Sequence, residues 1–223
     1  MFVERPTEWL VEDAYRLGSI PLGMAALCGI FGATGLAVLF VGLTIFVGAF
    51  FRNPERAIPG DENTVVSPTD GRVIDAIEVE GPDGAKALCI AIFLSVFNVH
   101  VNRVPVAGRV VGIERSGNAY LAAFNPEAET RNVRLDVKLE MANGARVTVS
   151  QITGLIARRI VCFANVGDEI LRGQRYGLIR FGSRTDVLLP PGSVAEVKKG
   201  DRVRGGSSIL ARLPVSSNAE VGA

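Results

Sequence analysis

The sequence predicts a mainly β protein with some helix (α+β), in which a barrel-sandwich-like β domain follows an apolar helical segment. Two observations carry this. From about residue 60 onward, valine-rich runs alternate at period two and are bounded by Gly, Pro and Asn-Gly turns. Before that, the chain runs from Leu17 to Phe51 without a charged residue. A third feature is a weak internal repeat. "VGDEILRGQRYGLI" (166–179) and "KGDRVRGGSSILA" (199–211) each place Gly-Asp before an apolar residue two positions on, with a second glycine at Gly173 and Gly206.

The elements follow in order. Residues 1–16 form a polar N-terminal segment, with a short amphipathic helix expected from Thr7. The charge-free run 17–51 exceeds the roughly 20 apolar residues of one membrane helix but falls short of two full passes. "GATG" at 32–35 divides it, so a membrane-embedded helical hairpin is expected, with one tilted span as the alternative. Ala25, Gly29, Ala33 and Ala37 recur every four residues, a small-residue face suited to close helix packing. A cleaved signal peptide does not fit, because the n-region is acidic and the apolar run too long. Arg52 and Arg56 follow the run and read as interfacial anchors on the cytoplasmic side.

Residues 52–223 form the β domain. "NTVVSPTDGRVIDAIEVE", "KALCIAIFLSVFNVHVNRVPVAGRVVGIE" and "RNVRLDVKLEMANGARVTVSQITG" read as strands, with a hairpin through Asn143-Gly144. The Gly-Asp units resemble the turn-and-strand units of biotinyl and lipoyl carrier domains, and "SPTDGRV" resembles their opening strand. A tight turn with a left-handed glycine leading into a buried strand explains the pattern. A carrier domain also needs an exposed hairpin lysine in a Met-Lys-type turn, and this sequence has none.

Composition excludes several classes. The chain has 24 basic and 23 acidic residues, without the basic excess of a general nucleic-acid binder. With one histidine and three unpaired cysteines, Cys28, Cys89 and Cys162, no Cys/His zinc set can be assembled and no metal is expected. The cysteines fit a reducing compartment, with Cys89 and Cys162 as buried filler.

Three residues remain that can carry chemistry. Asp70 lies in a Ser-Pro-Thr-Asp-Gly turn, where an Asx-turn role is the bland reading. His100 shares a strand face with Asn98 and Asn102 and is the default acid–base group near neutral pH. Ser183 follows Gly182 between the apolar runs Leu178-Ile179 and Val187-Leu188-Leu189. These three admit a hydrolytic triad, yet the serine lacks a G-x-S-x-G elbow. A Gly-Ser bond offers another route, because the serine oxygen can attack the carbonyl of the residue before it.

"FFRNPER", "SPTDG", "FNVHVNR", "ETRNVR", "QITGLIARRIVCF" and "FGSRTDVLLP", in this order over roughly residues 45–211, resemble the short form of the phosphatidylserine decarboxylase proenzyme family. The resemblance implies that Gly182–Ser183 is cleaved autocatalytically, giving a β chain of 1–182 and an α chain of 183–223. Ser183 then becomes a covalent pyruvoyl group, the electron sink that pyridoxal phosphate provides elsewhere, so neither pyridoxal phosphate nor a metal is required. The pyruvoyl forms a Schiff base with the amine of phosphatidylserine, and phosphatidylethanolamine is released. Asp70 would orient the His100 imidazole. The long form carries a second histidine where this chain has Arg103, so His100 is left to serve maturation, protonation or both. Implied partners are the phospholipid substrate, the cell (cytoplasmic) membrane with the catalytic domain on its cytoplasmic side, and the two chains of one precursor. The resemblance is compatible with a homo-oligomer. Two rival readings use the same features: a non-enzymatic membrane-tethered barrel-sandwich adaptor, and a membrane-bound serine hydrolase that does not cleave itself.

Overall fold

The computed structural model describes residues 12–81, 84–122, 125, 127–155, 159–179 and 183–214. Gly182 and the polar segment 1–11 therefore lie outside the described residues. The chain divides into a helical unit, Glu4–Glu55 with Val96–Val99, and a β unit, Arg56–Ser95 with His100–Ala223.

In the helical unit, α1 (Glu12–Ile30) and α2 (Thr34–Phe50) are joined at Phe31–Ala33. Gly32 takes φ 72°, and the Ala33 N–H returns to the Cys28 carbonyl at 2.8 Å. This left-handed glycine stop is what "GATG" supplies. No helix among the described residues is long and apolar enough to cross a membrane. Helix α1 includes Glu12, Asp13, Arg16 and Pro21, and α2 has 17 residues. At about 1.5 Å per residue, α2 reaches about 25 Å, short of a hydrocarbon core of about 30 Å. The chain thus forms the expected hairpin rather than the alternative of one tilted span, but from two helices neither of which is long and apolar enough to cross a membrane. The small-residue face is corrected as well. Ala14, Gly18, Pro21 and Ala25 are buried while Gly29 is exposed, and a Cβ on Gly18 would meet Val47 at 3.7 Å. The stripe read from Ala25 to Ala37 crosses the helix break, and positions on either side of a turn do not share one helical face.

The β unit comprises β1 (Thr64–Val66), β2 (Gly71–Glu80), β3 (Lys86–Leu94), β4 (Val101–Arg103), β5 (Gly108–Ser116), a short helix α3 (Ala128–Arg131), β6 (Arg134–Glu140) and β7 (Arg146–Ile152). There follow β8 (Ile160–Cys162), β9 (Glu169–Ile170), β10 (Arg175–Ile179), β11 (Ser183–Leu189), β12 (Val194–Ala195), β13 (Arg202–Val203) and β14 (Ile209–Arg212). An eight-stranded sheet runs β13-β2-β3-β11-β7-β6-β5-β9, and two three-stranded sheets run β1-β14-β12 and β4-β10-β8. Every strand pair is antiparallel. The Asn143-Gly144 hairpin joins β6 to β7, with Gly144 at φ 79°. Inward valines and isoleucines, among them Val73, Ile90, Ile92, Val110, Val137, Val149 and Val187, form one core.

The Gly-Asp repeat is a structural duplication. Gly167 and Gly200 take φ 97° and 98°, and Gly173 and Gly206 both take 77°. In one unit the Asp168 carboxylate accepts from the Asn165 N–H at 2.8 Å; in the other Asp201 accepts from Lys198 at 2.9 Å. Strands β9 and β13 then close the two ends of the large sheet, pairing Ile170 with Gly108 and Val203 with Gly71. A Cβ on Gly71 would lie 2.3 Å from the Phe93 carbonyl oxygen, and one on Gly108 would lie 2.6 Å from that of Glu140. Both sites therefore require glycine. Pro68-Thr69-Asp70-Gly71-Arg72-Val73 and Pro105-Val106-Ala107-Gly108-Arg109-Val110 are thus equivalent turns, a correspondence that only the pairing reveals.

Candidate active site

Ser183 opens β11, the strand held between β3 and β7 in the middle of the large sheet. It pairs with Leu94, and Thr185 two residues on pairs with Gln151. The turn reading of Gly-Ser therefore gives way: Ser183 is strand, with no exposed surface. Its hydroxyl oxygen has no hydrogen-bond partner among the described residues. A buried polar group left without a partner costs about 1–3 kcal/mol, so a hydroxyl kept there in that state points to chemistry rather than stability.

His100 stands immediately before β4, and its carbonyl accepts from the Ile179 N–H at the end of β10. It is 2% exposed. Strand alternation places it on the Asn102 side of β4. That side was expected to be polar; it is also buried. The Asn102 Nδ2 lies 3.5 Å from Thr185 Oγ1, and its Oδ1 accepts from Gln151 Nε2 at 2.8 Å. Thr185 and Ser183 share one face of β11, so Asn102 and Gln151 meet, at Thr185, the face that Ser183 also occupies.

Asp70 ends the turn before β2. Its carboxylate accepts from the Arg56 guanidinium at 3.0 Å and from the Gly205 N–H at 2.8 Å. The equivalent turn carries Ala107, so the turn itself does not demand a carboxylate, and the Asx-turn reading loses its reason. Arg56 is corrected from a membrane anchor to a largely buried partner of Asp70, with its side chain 16% exposed. A carboxylate at hydrogen-bond distance holds a guanidinium more firmly than an interface would. Arg52 donates to the Ala49 and Phe97 carbonyls. Arg103, where the long form has histidine, is buried and donates to the Gly173 carbonyl at 2.9 Å. Burial, then Arg175 and Arg56, push it down to about 10.

The other face of β11 carries a network that the sequence left unread. Arg184 donates to Asp186 at 2.6 Å and to Glu129 at 2.8 Å. Arg134 donates to Asp136, Ser150 and the Glu129 carbonyl. Burial pushes the Asp186 carboxyl up to about 6, against the pull of Arg184. "ETRNVR" thus grips the residue that follows Ser183. The available signal was the Arg-x-Asp of 184–186, charges at period two in an otherwise apolar strand. Cys89 is buried and pushed up to about 12 by that burial. Cys162 is half-buried against the core.

The site can be set beside known proteins. The phosphatidylserine decarboxylase family pattern matches residues 43–211. A phosphatidylserine decarboxylase proenzyme of Citrifermentans bemidjiense is 48% identical over 194 residues, covering 86% of this chain and 87% of that protein. One from Symbiobacterium thermophilum is 49% identical over 191 residues, covering 85% and 89%. One from Paraburkholderia phymatum is 43% identical over 209 residues, covering 93% and 99%. A serine buried at the head of a central strand, its hydroxyl without a hydrogen-bond partner among the described residues, is set within a match that spans most of the sequence: this chain belongs to the phosphatidylserine decarboxylase family.

Proposed function

We propose that this chain decarboxylates phosphatidylserine to phosphatidylethanolamine, using a pyruvoyl group made from its own Ser183. The buried Ser183 hydroxyl, without a hydrogen-bond partner among the described residues, carries the reading. Its oxygen attacks the Gly182 carbonyl and the peptide becomes an ester. His100, as base, removes the Ser183 α-proton. Elimination frees the Gly182 carboxylate and leaves dehydroalanine at 183, which tautomerises and takes up water. Ammonia departs and a pyruvoyl remains. Asp70 orients the imidazole and balances its cationic form, itself held in place by Arg56 and Gly205. Arg184, tied to Glu129 and Asp186, keeps the new chain end in register after the cut. The pyruvoyl supplies the electrophile for the substrate amine and the electron sink for loss of carbon dioxide. His100 then returns the proton.

Purified protein should run as two bands on a denaturing gel, cut at 182/183. Mass spectrometry of the fragment 183–223 should find a carbonyl terminus in place of serine. Cyanoborohydride with phosphatidylserine should fix lipid on that fragment, and added pyridoxal phosphate should not raise activity. A single band would favour the adaptor or hydrolase reading, and lipid fixed on a lysine of 1–182 would contradict the pyruvoyl reading.

We further read the helical unit as an interfacial anchor on the cytoplasmic side of the cell membrane, and the paired Gly-Asp units as a barrel-sandwich arrangement. The hairpin exposes Ile20, Ile30, Phe31, Val38 and Ile45, with Phe31 81% exposed. So many exposed large apolar side chains on two short helices suit lipid better than water. A catalyst at the interface need not lift acyl chains into water, at about 0.8 kcal/mol per CH₂. Deleting residues 1–50 should release the protein from membranes while self-cleavage survives. Activity on short-chain soluble substrate should fall less than activity on bilayers; equal losses would make the hairpin a structural support only.

A further inference from the structure

Gln151 lies on β7 directly opposite Thr185, on the face of the sheet that carries Ser183. It has no exposed surface. Its Nε2 donates to Asn102 Oδ1 at 2.8 Å. Asn102 turns its own Nδ2 toward Thr185 Oγ1, 3.5 Å away, so its Oδ1 faces Gln151 and fixes which end of the Gln151 amide meets it. Gln151 Oε1 is then left without a partner among the described residues. On the far side the amide lies against Gly177 of β10, where a Cβ would come within 3.1 Å of Nε2. The amide is thus wedged between two sheets with its acceptor unspent. Ser183 Oγ is the second unspent polar atom of this layer.

We infer that Gln151 Oε1 is the acceptor that recognises the primary amine of the substrate headgroup. The inference rests on the reading of Ser183 as the reacting position. Across an antiparallel pair, the diagonal neighbour stays within reach of a long side chain, and Gln151 stands diagonally from residue 183. An amine that comes to residue 183 therefore passes within reach of Gln151. Only a donor can satisfy Oε1, and an amine brings N–H donors. Thr185 Oγ1, directly opposite Gln151, faces Asn102 Nδ2 at 3.5 Å; conversion of Ser183 removes the other hydroxyl of this face, so in the mature enzyme the acceptor is left for the ligand. A neutral amide oxygen also suits the chemistry. A carboxylate in its place would hold the amine protonated and suppress its attack.

The test uses self-cleaved, full-length protein and lipids that compete with phosphatidylserine in mixed micelles. Wild type should be inhibited about 10-fold more strongly by phosphatidylethanolamine than by phosphatidylcholine, whose trimethylated nitrogen has no N–H, the scale of one hydrogen bond to a charged group. The N,N-dimethyl headgroup, nearly as bulky but with one N–H, should keep most of that preference. Gln151→Met should still self-cleave, raise KM about 10-fold and lose the preference; Gln151→Glu, which retains an acceptor, should keep it. A purely structural role would lower the yield of cleaved protein and leave the preference untouched. Equal inhibition of wild type by the three lipids would overturn the inference, as would a preference that survives in Gln151→Met. If Gln151→Met does not fold, Gln151→Leu, close in volume and without an acceptor, carries the same test: loss of the preference supports the inference and its survival overturns it. Failure of wild type to cleave would count against the decarboxylase reading itself, whereas cleaved, active wild type without the preference counts against Gln151 only.

Discussion

Ser183→Ala should run as one uncut chain and release no carbon dioxide from phosphatidylserine. No hydroxyl is left to attack the Gly182 carbonyl, so the ester cannot form and no pyruvoyl appears. The loss should be complete, because maturation and turnover both pass through this position. The same variant should be at least as heat-stable as the uncleaved parent. Ser183 Oγ is buried without a partner among the described residues, and deleting such a group removes a desolvation cost of about 1–3 kcal/mol. Inactivation joined to unchanged or raised Tm separates a reacting group from a structural one. Thr or Cys at 183 retains a nucleophile and should cleave more slowly. Normal cleavage of Ser183→Ala would sink the assignment.

His100→Ala should slow self-cleavage by about 10²–10⁴, the usual loss when general acid–base help is withdrawn. Maturation needs a base for the Ser183 hydroxyl or α-proton, and turnover needs an acid for the carbanion. An imidazole ordinarily titrates near neutrality and can do both. Burial of His100 on the Asn102 side of β4 limits what other group reaches the same place. Mature enzyme that accumulates on long incubation should be assayed per mole of pyruvoyl, not per mole of protein. Reduced turnover on that scale means His100 acts in both steps; wild-type turnover confines it to maturation. Asp70→Asn should slow cleavage as well. It takes the charge from the Arg56 pair and leaves the neighbouring Arg103 in a more positive field. Its effect on turnover should be smaller.

The β character of residues 60–211, the Asn143-Gly144 hairpin, the break at Gly32 and the Gly-Asp units were all legible in the sequence. Each is written locally: alternation at period two, an Asn-Gly pair, a glycine that must take positive φ. Ser183 and His100 were legible for a different reason. A Gly-Ser junction inside an apolar strand context and the only imidazole of the chain are conspicuous by residue type, whatever their surroundings.

Long-range pairing decided the rest. Arg56 reads as a membrane anchor from its position after the apolar run, and only the fold sets it 3.0 Å from Asp70. The small-residue stripe looked continuous until Gly32 ended the helix. Gln151, Thr185 and Glu129 lie within stretches that carry the family resemblance, yet nothing local marks their roles, since an amide, a strand threonine and a glutamate are commonplace. Their meaning comes from β7, β11 and α3, brought together from distant parts of the chain. Residue type and spacing determined which atoms could react; cross-strand register alone determined which atoms surround them, because a one-residue slip would turn every one of these side chains to the opposite face.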